Sequence, residues 1–135
     1  MTTRGLLLDT HAFLWWALGD RRLPSATRTL IDGAGDVYVS AATAWELRTK
    51  YRLGKLPELS PLLVHDLAAV VASEQFRELP ITFADGDRAG AFPPLHRDPF
   101  DRILAAQALH NRLALVSNDA ALDLFGVARV WHANV

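Results

Sequence analysis

Four carboxylates in this chain stand where an apolar segment ends or a helix begins. Asp9 closes Leu6-Leu7-Leu8, Glu46 lies one turn inside Ala41-Ala42-Thr43-Ala44-Trp45, Asp101 follows Asp98-Pro99-Phe100, and Asp119 follows Leu113-Ala114-Leu115-Val116-Ser117-Asn118. Each has an ordinary explanation by itself. Asp9, Asp98 and Asp119 suit N-caps, Asp101 suits a first helical turn, and Glu46 stands four residues before Lys50, the spacing of a surface ion pair. Gathered in one crevice they would be something else, because unpaired carboxylates repel and raise one another's pKa until a cation or proton neutralises them. The chain has no cysteine, and His96 has no second histidine at a ligand spacing, so it reads as a loop residue rather than a ligand. The cation that suits such a set is hard and oxygen-loving, Mg²⁺ with Mn²⁺ as a substitute. An ion of that kind activates water and stabilises a phosphate oxygen, which is the chemistry of phosphodiester hydrolysis.

Whether the acids meet depends on the elements that carry them. Leu6-Leu7-Leu8, Val37-Tyr38-Val39-Ser40 and Leu113 to Ser117 read as short strands, the first and last of them unbroken apolar runs suited to burial on both faces. Val127 to Trp131 gives a final short strand, and Leu79-Pro80-Ile81 an extended segment whose proline argues for a sheet edge. Between them lie helices. One runs from Ala12 to Leu18 and stops at Gly19, a second runs from Ala26 to Asp32 with Ser25 as its cap, and a third runs from Ala41 to Leu53 and stops at Gly54. A further helix is expected from Pro61 to Ser73 with His65 and Asp66 on its polar side, a short one from Asp85 to Ala91, and a largely apolar one from Pro99 to Asn111, capped by Asp98.

Strands alternating with helices predict an α/β domain: a central parallel sheet of four to five short strands with helices on both faces. In such a sheet Asp9 and Asp119 leave strand ends, and Glu46 and Asp101 occupy helices that begin near the same edge. All four can then converge outside the carboxyl ends of the strands. The 135 residues suit a single domain, 1–135, and half of them are hydrophobic, enough for a core without disulfides or a structural metal. No apolar run reaches membrane-spanning length, and the opening residues have too short an apolar core for a secretory signal, so a cytoplasmic protein is expected. The formal net charge of −1 gives no global basic signature. Any nucleic acid must therefore be held by a local patch, for which Arg48, Lys50, Arg52 and Lys55, with Arg97 and Arg102 beside the third acidic segment, are the candidates.

At these residues the chain resembles the PIN-domain family, and within it the VapC ribonuclease toxins of bacterial toxin–antitoxin pairs. Leu-Leu-Leu-Asp9-Thr-His is similar to the first motif, Ser40-Ala-Ala-Thr-Ala-Trp-Glu46 to the second, Asp98-Pro-Phe-Asp101-Arg-Ile-Leu-Ala-Ala-Gln to the third and Ser117-Asn-Asp119 to the fourth. The resemblance implies a Mg²⁺-dependent endoribonuclease, usually a homodimer, neutralised by a VapB-like antitoxin that lays a C-terminal segment along its groove. It implies an acidic site of Asp9, Glu46, Asp101 and Asp119, with Asp9, Asp101 and Glu46 on the metal and Asp119 less direct. The third motif holds two aspartates where the family pattern needs one. Asp101 takes the ligand role, and Asp98 is left as a cap or outer support. A receiver-like module would need an adjacent acidic pair and a late lysine, and a haloacid-dehalogenase-type phosphatase an aspartate where this chain has His11. A PIN fold kept only as a binding scaffold should have lost an acid, and none is missing.

Overall fold

The computed structural model describes residues 3–94 and 96–134. Its centre is the leucine run. The strands are β1 (Gly5–Leu8), β2 (Val37–Ser40), β3 (Arg77–Leu79), β4 (Leu113–Val116) and β5 (Arg129–Val130), all parallel, in the order β3-β2-β1-β4-β5. Leu7 sits opposite Tyr38 on one side and Leu115 on the other. Successive side chains point to opposite faces, so the run feeds two cores. Leu6 and Leu8 join Val37, Val39, Ala114 and Val116 on one face, whereas Leu7 joins Leu113 and Leu115 on the other. Gly5 opens β1 where the backbone of Asp36 passes so close that a Cβ would stand 2.6 Å from its carbonyl oxygen.

Among the described residues six α-helices cover the sheet: α1 (Thr10–Leu18), α2 (Ser25–Asp32), α3 (Ala41–Arg52), α4 (Leu67–Ser73), α5 (Phe83–Ala91) and α6 (Pro99–Asn111). The first core receives Phe13 and Leu14 of α1, Ile31 of α2, Leu47 of α3 and Leu67 and Val71 of α4. The second receives Leu104, Ala105 and Ala108 of α6, with Leu122 and Phe125 from a 3-10 helix over Ala120–Phe125. Helices on both faces of a parallel sheet are the expected architecture. Among the described residues no helix is long and apolar enough to cross a membrane.

Several boundaries differ from those read in the sequence. The helix expected from Pro61 to Ser73 is two pieces, a 3-10 helix over Pro57–Val64 with Pro61 inside it, and α4. Asp66 divides them. Its carboxylate accepts the Ala69 N–H at 2.7 Å, so it starts a new helix as its N-cap instead of decorating an old one. Ser25 is not the cap of α2; extended Pro24 holds that position, and the Ser25 N–H and hydroxyl both donate to Asn134 Oδ1 at 2.9 Å. α5 begins two residues earlier than expected because Thr82 and Asp85 form a reciprocal capping box. The edge strand is Arg77–Leu79, with Pro80 just past its end.

Gln107, fully buried on α6, ties the layers together. Its Oε1 accepts the Ser40 hydroxyl at 2.6 Å, and its Nε2 donates to the carbonyls of Leu79 and Pro80 at 3.4 and 3.2 Å. One side chain thus fixes the ends of β2 and β3 against α6. Gln107→Leu keeps the volume and strands those partners, so it should cost about 2–3 kcal/mol of stability in urea unfolding despite its greater hydrophobicity. An unchanged midpoint would show that water replaces the amide.

Candidate functional site

The strand order reverses at β1. From β1 the chain moves outward through β2 to β3, then returns to place β4 and β5 on the other side, which opens a crevice beyond the carboxyl ends of β1 and β4. Asp9 and Asp119 leave those two ends. The Asp9 N–H donates to Val116 O at 3.0 Å, extending the β1–β4 ladder by one rung, and Asp9 Oδ1 accepts the Ala12 N–H at 2.8 Å as the cap of α1. Asp119 receives its shape from Ser117, whose Oγ accepts the Asp119 N–H at 3.0 Å, and its own Oδ1 caps the 3-10 helix at Ala121 N. Ser40 caps α3 at the end of β2 by accepting the Ala42 N–H, which sets Glu46 on the inward face. Asp98 caps α6 through the N–H groups of Phe100 and Asp101, at 2.9 and 3.3 Å, and so orients the turn that carries Asp101.

These side chains line one cleft of about 260 Å³. Asp9, Glu46, Asp98, Asp101 and Asp119 all reach it, together with Thr10, His11, Lys50, His96 and Asn118. Glu46 is 3 % exposed, yet both of its oxygens are engaged: Oε1 accepts the Thr10 hydroxyl at 2.5 Å and Oε2 takes Lys50 Nζ at 2.6 Å. The ion pair read from the four-residue spacing is real, but it lies inside the cleft. Burial pushes the Asp9 carboxyl up to about 6, with the charges of Glu46 and Asp119 adding to the rise and hydrogen bonds from Ser117 and Ala12 opposing it. Asp101 is likewise pushed up to about 6, by burial first and then by the charges of Asp98 and Glu46, against a hydrogen bond from His96. Burial is the main cause in both and neighbouring carboxylates add to it, so a cation in the cleft would favour the ionised forms. Donors that are carboxylate oxygens, with at most one imidazole, fit a hard or borderline divalent cation.

His96 reads from the sequence as a loop residue, and the structure keeps it outside helix and strand while bringing its ring to the acids. Its Nε2 lies 2.8 Å from Asp101 Oδ2, and the ligand atoms of His96, Asp101 and Asp119 all lie within 4.8 Å of one another. Asp9 and Glu46 share the cleft without joining that close group. Thr10 and Asn118 were also passed over, although each adjoins an acid already singled out. Among the basic residues proposed from the sequence, Lys50 alone lines the cleft. Arg48, Arg52, Lys55 and Arg97 are exposed. Arg102 is spent elsewhere: its guanidinium donates to the backbone carbonyls of Ala89, Gly90, Phe92, Pro93 and His96, which leaves it nothing for a phosphate.

The PIN domain family model matches residues 6–127, a span that holds all four acidic motifs. The chain belongs to the PIN-domain family. It is 31% identical over 125 residues to ribonuclease VapC22 of Mycobacterium tuberculosis, covering 90% of this chain and 91% of that protein. Among solved structures this PIN domain is similar to FitAcB from Neisseria gonorrhoeae, with a TM-score of 0.61 and 22% identity over 92% of this chain and 95% of that one. It is similar also to FitAB bound to an IR36 DNA fragment, with a TM-score of 0.60 and 21% identity over 96% and 98% of the two chains. At those identities the two structures speak for the fold. Membership of the family sets aside the receiver-like and phosphatase-like readings of the same acids.

The Asp9 shift has a measurable consequence in the metal-free PIN domain. A carboxyl with a folded pKa near 6 and an ordinary value of 3.8 binds more protons folded than unfolded between those values, so stability falls as pH rises from about 4 to 6. Above that window the full penalty stands, on the order of 3 kcal/mol for this buried group. Asp9→Asn keeps the cap on Ala12 and removes the charge. In EDTA at pH 7 the variant should be the more stable by about 2–3 kcal/mol, and the gain should vanish near pH 4. A gain that persists at pH 4 would rule out the charge as its cause.

Proposed function

We propose that this PIN domain is a metal-dependent endoribonuclease, the toxin of a toxin–antitoxin pair, and that it hydrolyses RNA phosphodiester bonds with Mg²⁺ or Mn²⁺. The observation that carries this reading is the convergence of Asp9, Glu46, Asp101 and Asp119 in one cleft at the point where the strand order reverses. The similarity to a ribonuclease along nine-tenths of the chain supports the substrate class. Asp101, Asp119 and Asp9 would hold the ion. When bound, a divalent ion supplies charge stabilisation for the phosphate and makes water a better nucleophile.

The side chains of the protein divide the remaining work. Asp98 and Ser117 hold the turns that present Asp101 and Asp119. Glu46, gripped by Thr10, keeps the Lys50 ammonium at the cleft wall, where an incoming phosphate meets it. Asp9, walled off from solvent on most sides, would keep its carboxylate on the ion with little competition from bulk water. The exposed Arg48, Arg52, Lys55 and Arg97 supply local positive charge for the strand on either side, as a protein of net charge −1 requires. A VapB-like antitoxin and a second copy of the chain belong to the same proposal.

Four variants test it. Asp9→Asn and Asp101→Asn should each reduce RNA cleavage by at least about a thousandfold while the protein remains folded, whereas Asp98→Asn, which still caps α6, should retain most of it. Wild-type cleavage that survives EDTA would overturn the metal dependence, and an Asp98→Asn variant as dead as Asp101→Asn would move Asp98 onto the ion. For the basic patch, Arg48→Ala with Arg52→Ala should weaken RNA binding at low salt and flatten the slope of log affinity against log salt by about 1–2, with little change in turnover at saturating RNA. A wild-type slope in that double variant would send the RNA over another face.

A further inference from the structure

The connection between α5 and α6 delivers His96 to the acidic group. Arg102 shapes it. Nε donates to Ala89 O at 2.9 Å, Nη1 to Pro93 O at 3.1 Å and to His96 O at 3.0 Å, and Nη2 to Phe92 O at 2.5 Å and Gly90 O at 3.4 Å. A guanidinium has five N–H donors, so the grip uses its whole capacity on one short stretch of backbone. The ring side is fixed as well. Arg102 lies over Phe92, Phe92 packs on Phe125 with ring centres 4.7 Å apart, and Phe125 meets the His96 ring edge-on at 6.1 Å. With its carbonyl tied and its ring braced, His96 presents Nε2 to Asp101 Oδ2, inside the group that includes Asp119.

We propose that His96, positioned by Arg102, supplies a nitrogen ligand to the metal of this site and so makes the site prefer Mn²⁺ to Mg²⁺. The inference rests on the metal-site reading above and concerns which ion that site selects. Mg²⁺ demands hard oxygen donors and keeps its waters, whereas an imidazole nitrogen is a better partner for Mn²⁺ and the later first-row ions. An imidazole set among carboxylates therefore costs Mg²⁺ a favourable ligand and leaves Mn²⁺ with a good one. Were His96 only a hydrogen-bond donor steadying Asp101 from outside, its loss would weaken both ions alike. Arg102 acts through His96 and touches neither ion nor RNA.

Mn²⁺ alone, added to the metal-free, untagged full chain, is a direct probe. Electron paramagnetic resonance reads the free ion, and pulsed measurements read coupling of bound Mn²⁺ to an imidazole ¹⁴N. The wild type should show that coupling and give up Mn²⁺ only to a large excess of Mg²⁺. His96→Gln should abolish the coupling and lower Mn²⁺ affinity at least about tenfold while Mg²⁺ affinity changes much less. Arg102→Lys keeps the charge but cannot make the five-donor grip, and should lose coupling and selectivity with His96 still present. Bound Mn²⁺ with no ¹⁴N coupling in the wild type, or a His96→Gln variant with an unchanged Mn²⁺/Mg²⁺ ratio, would overturn the proposal. Arg102→Lys with full coupling would overturn the positioning role, and if that variant does not fold, the wild type and His96→Gln still decide the ligand. Asp101→Asn reports separately: if it binds Mn²⁺ as the wild type does, the metal-site reading itself fails.

Discussion

The reversal of strand order at β1 is the constraint from which the site follows. A parallel sheet that grew in one direction only would cover each strand end with the connection to its neighbour. Here β2 lies on one side of β1 and β4 on the other, so the connections diverge and leave the ends of two central strands uncovered. Asp9 follows β1 directly and Asp119 stands three residues beyond the end of β4, both lining that gap. Glu46 and Asp101 arrive on helices whose starts are fixed at the same level, one by Ser40 at the end of β2 and one by Asp98. The leucine run matters to chemistry because it feeds both cores from the strand at which the order reverses.

Bringing carboxylates together works against folding, and the surroundings of the cleft are built to bear it. Glu46 is neutralised in place by Lys50, whereas Asp9 and Asp101 are not, and they are the two whose carboxyls burial pushes up to about 6. The loops at the rim are held by arginines turned away from the cleft. Arg102 gathers carbonyls around His96, and Arg129 joins Ser117 O to the Asp123 carboxylate beside the fourth acid. Positive charge therefore serves two unlike purposes in this protein: some of it is structural cement, and the remainder lies on the surface.

What could be read in the sequence divides along a physical line. Asp9 and Asp119 were legible because they directly follow buried strands, and Asp98 and Asp101 because an aspartate before a proline announces a helix start; each signal is local. Glu46 was ambiguous because its pairing with Lys50 is also local, while its burial depends on where α3 lies. His96 and Arg102 depend on contacts that the sequence does not display. The path of the connection between α5 and α6 is set by one guanidinium reaching back 6 to 13 residues to five carbonyls, and neither periodicity nor composition records such a grip. Asp66 shows the same limit on a smaller scale, since a cap in the middle of an apolar pattern splits what spacing alone joins into one helix.

The start of α2 has no side-chain cap of its own; the Ser25 N–H is satisfied by Asn134, and the hydroxyl of Thr27 both donates to His132 O at 2.8 Å and accepts the His132 N–H at 2.9 Å. Helix and partner are more than a hundred positions apart in the chain. On a ribosome the two are made at different times. α2 must wait, with its first donors bonded to water, until residues 132 to 134 have left the exit tunnel and β5 has docked. A nascent chain stalled short of that point would hold the acidic motifs but not a finished framework, so synthesis itself orders the assembly, and β5 locks a helix made near the beginning.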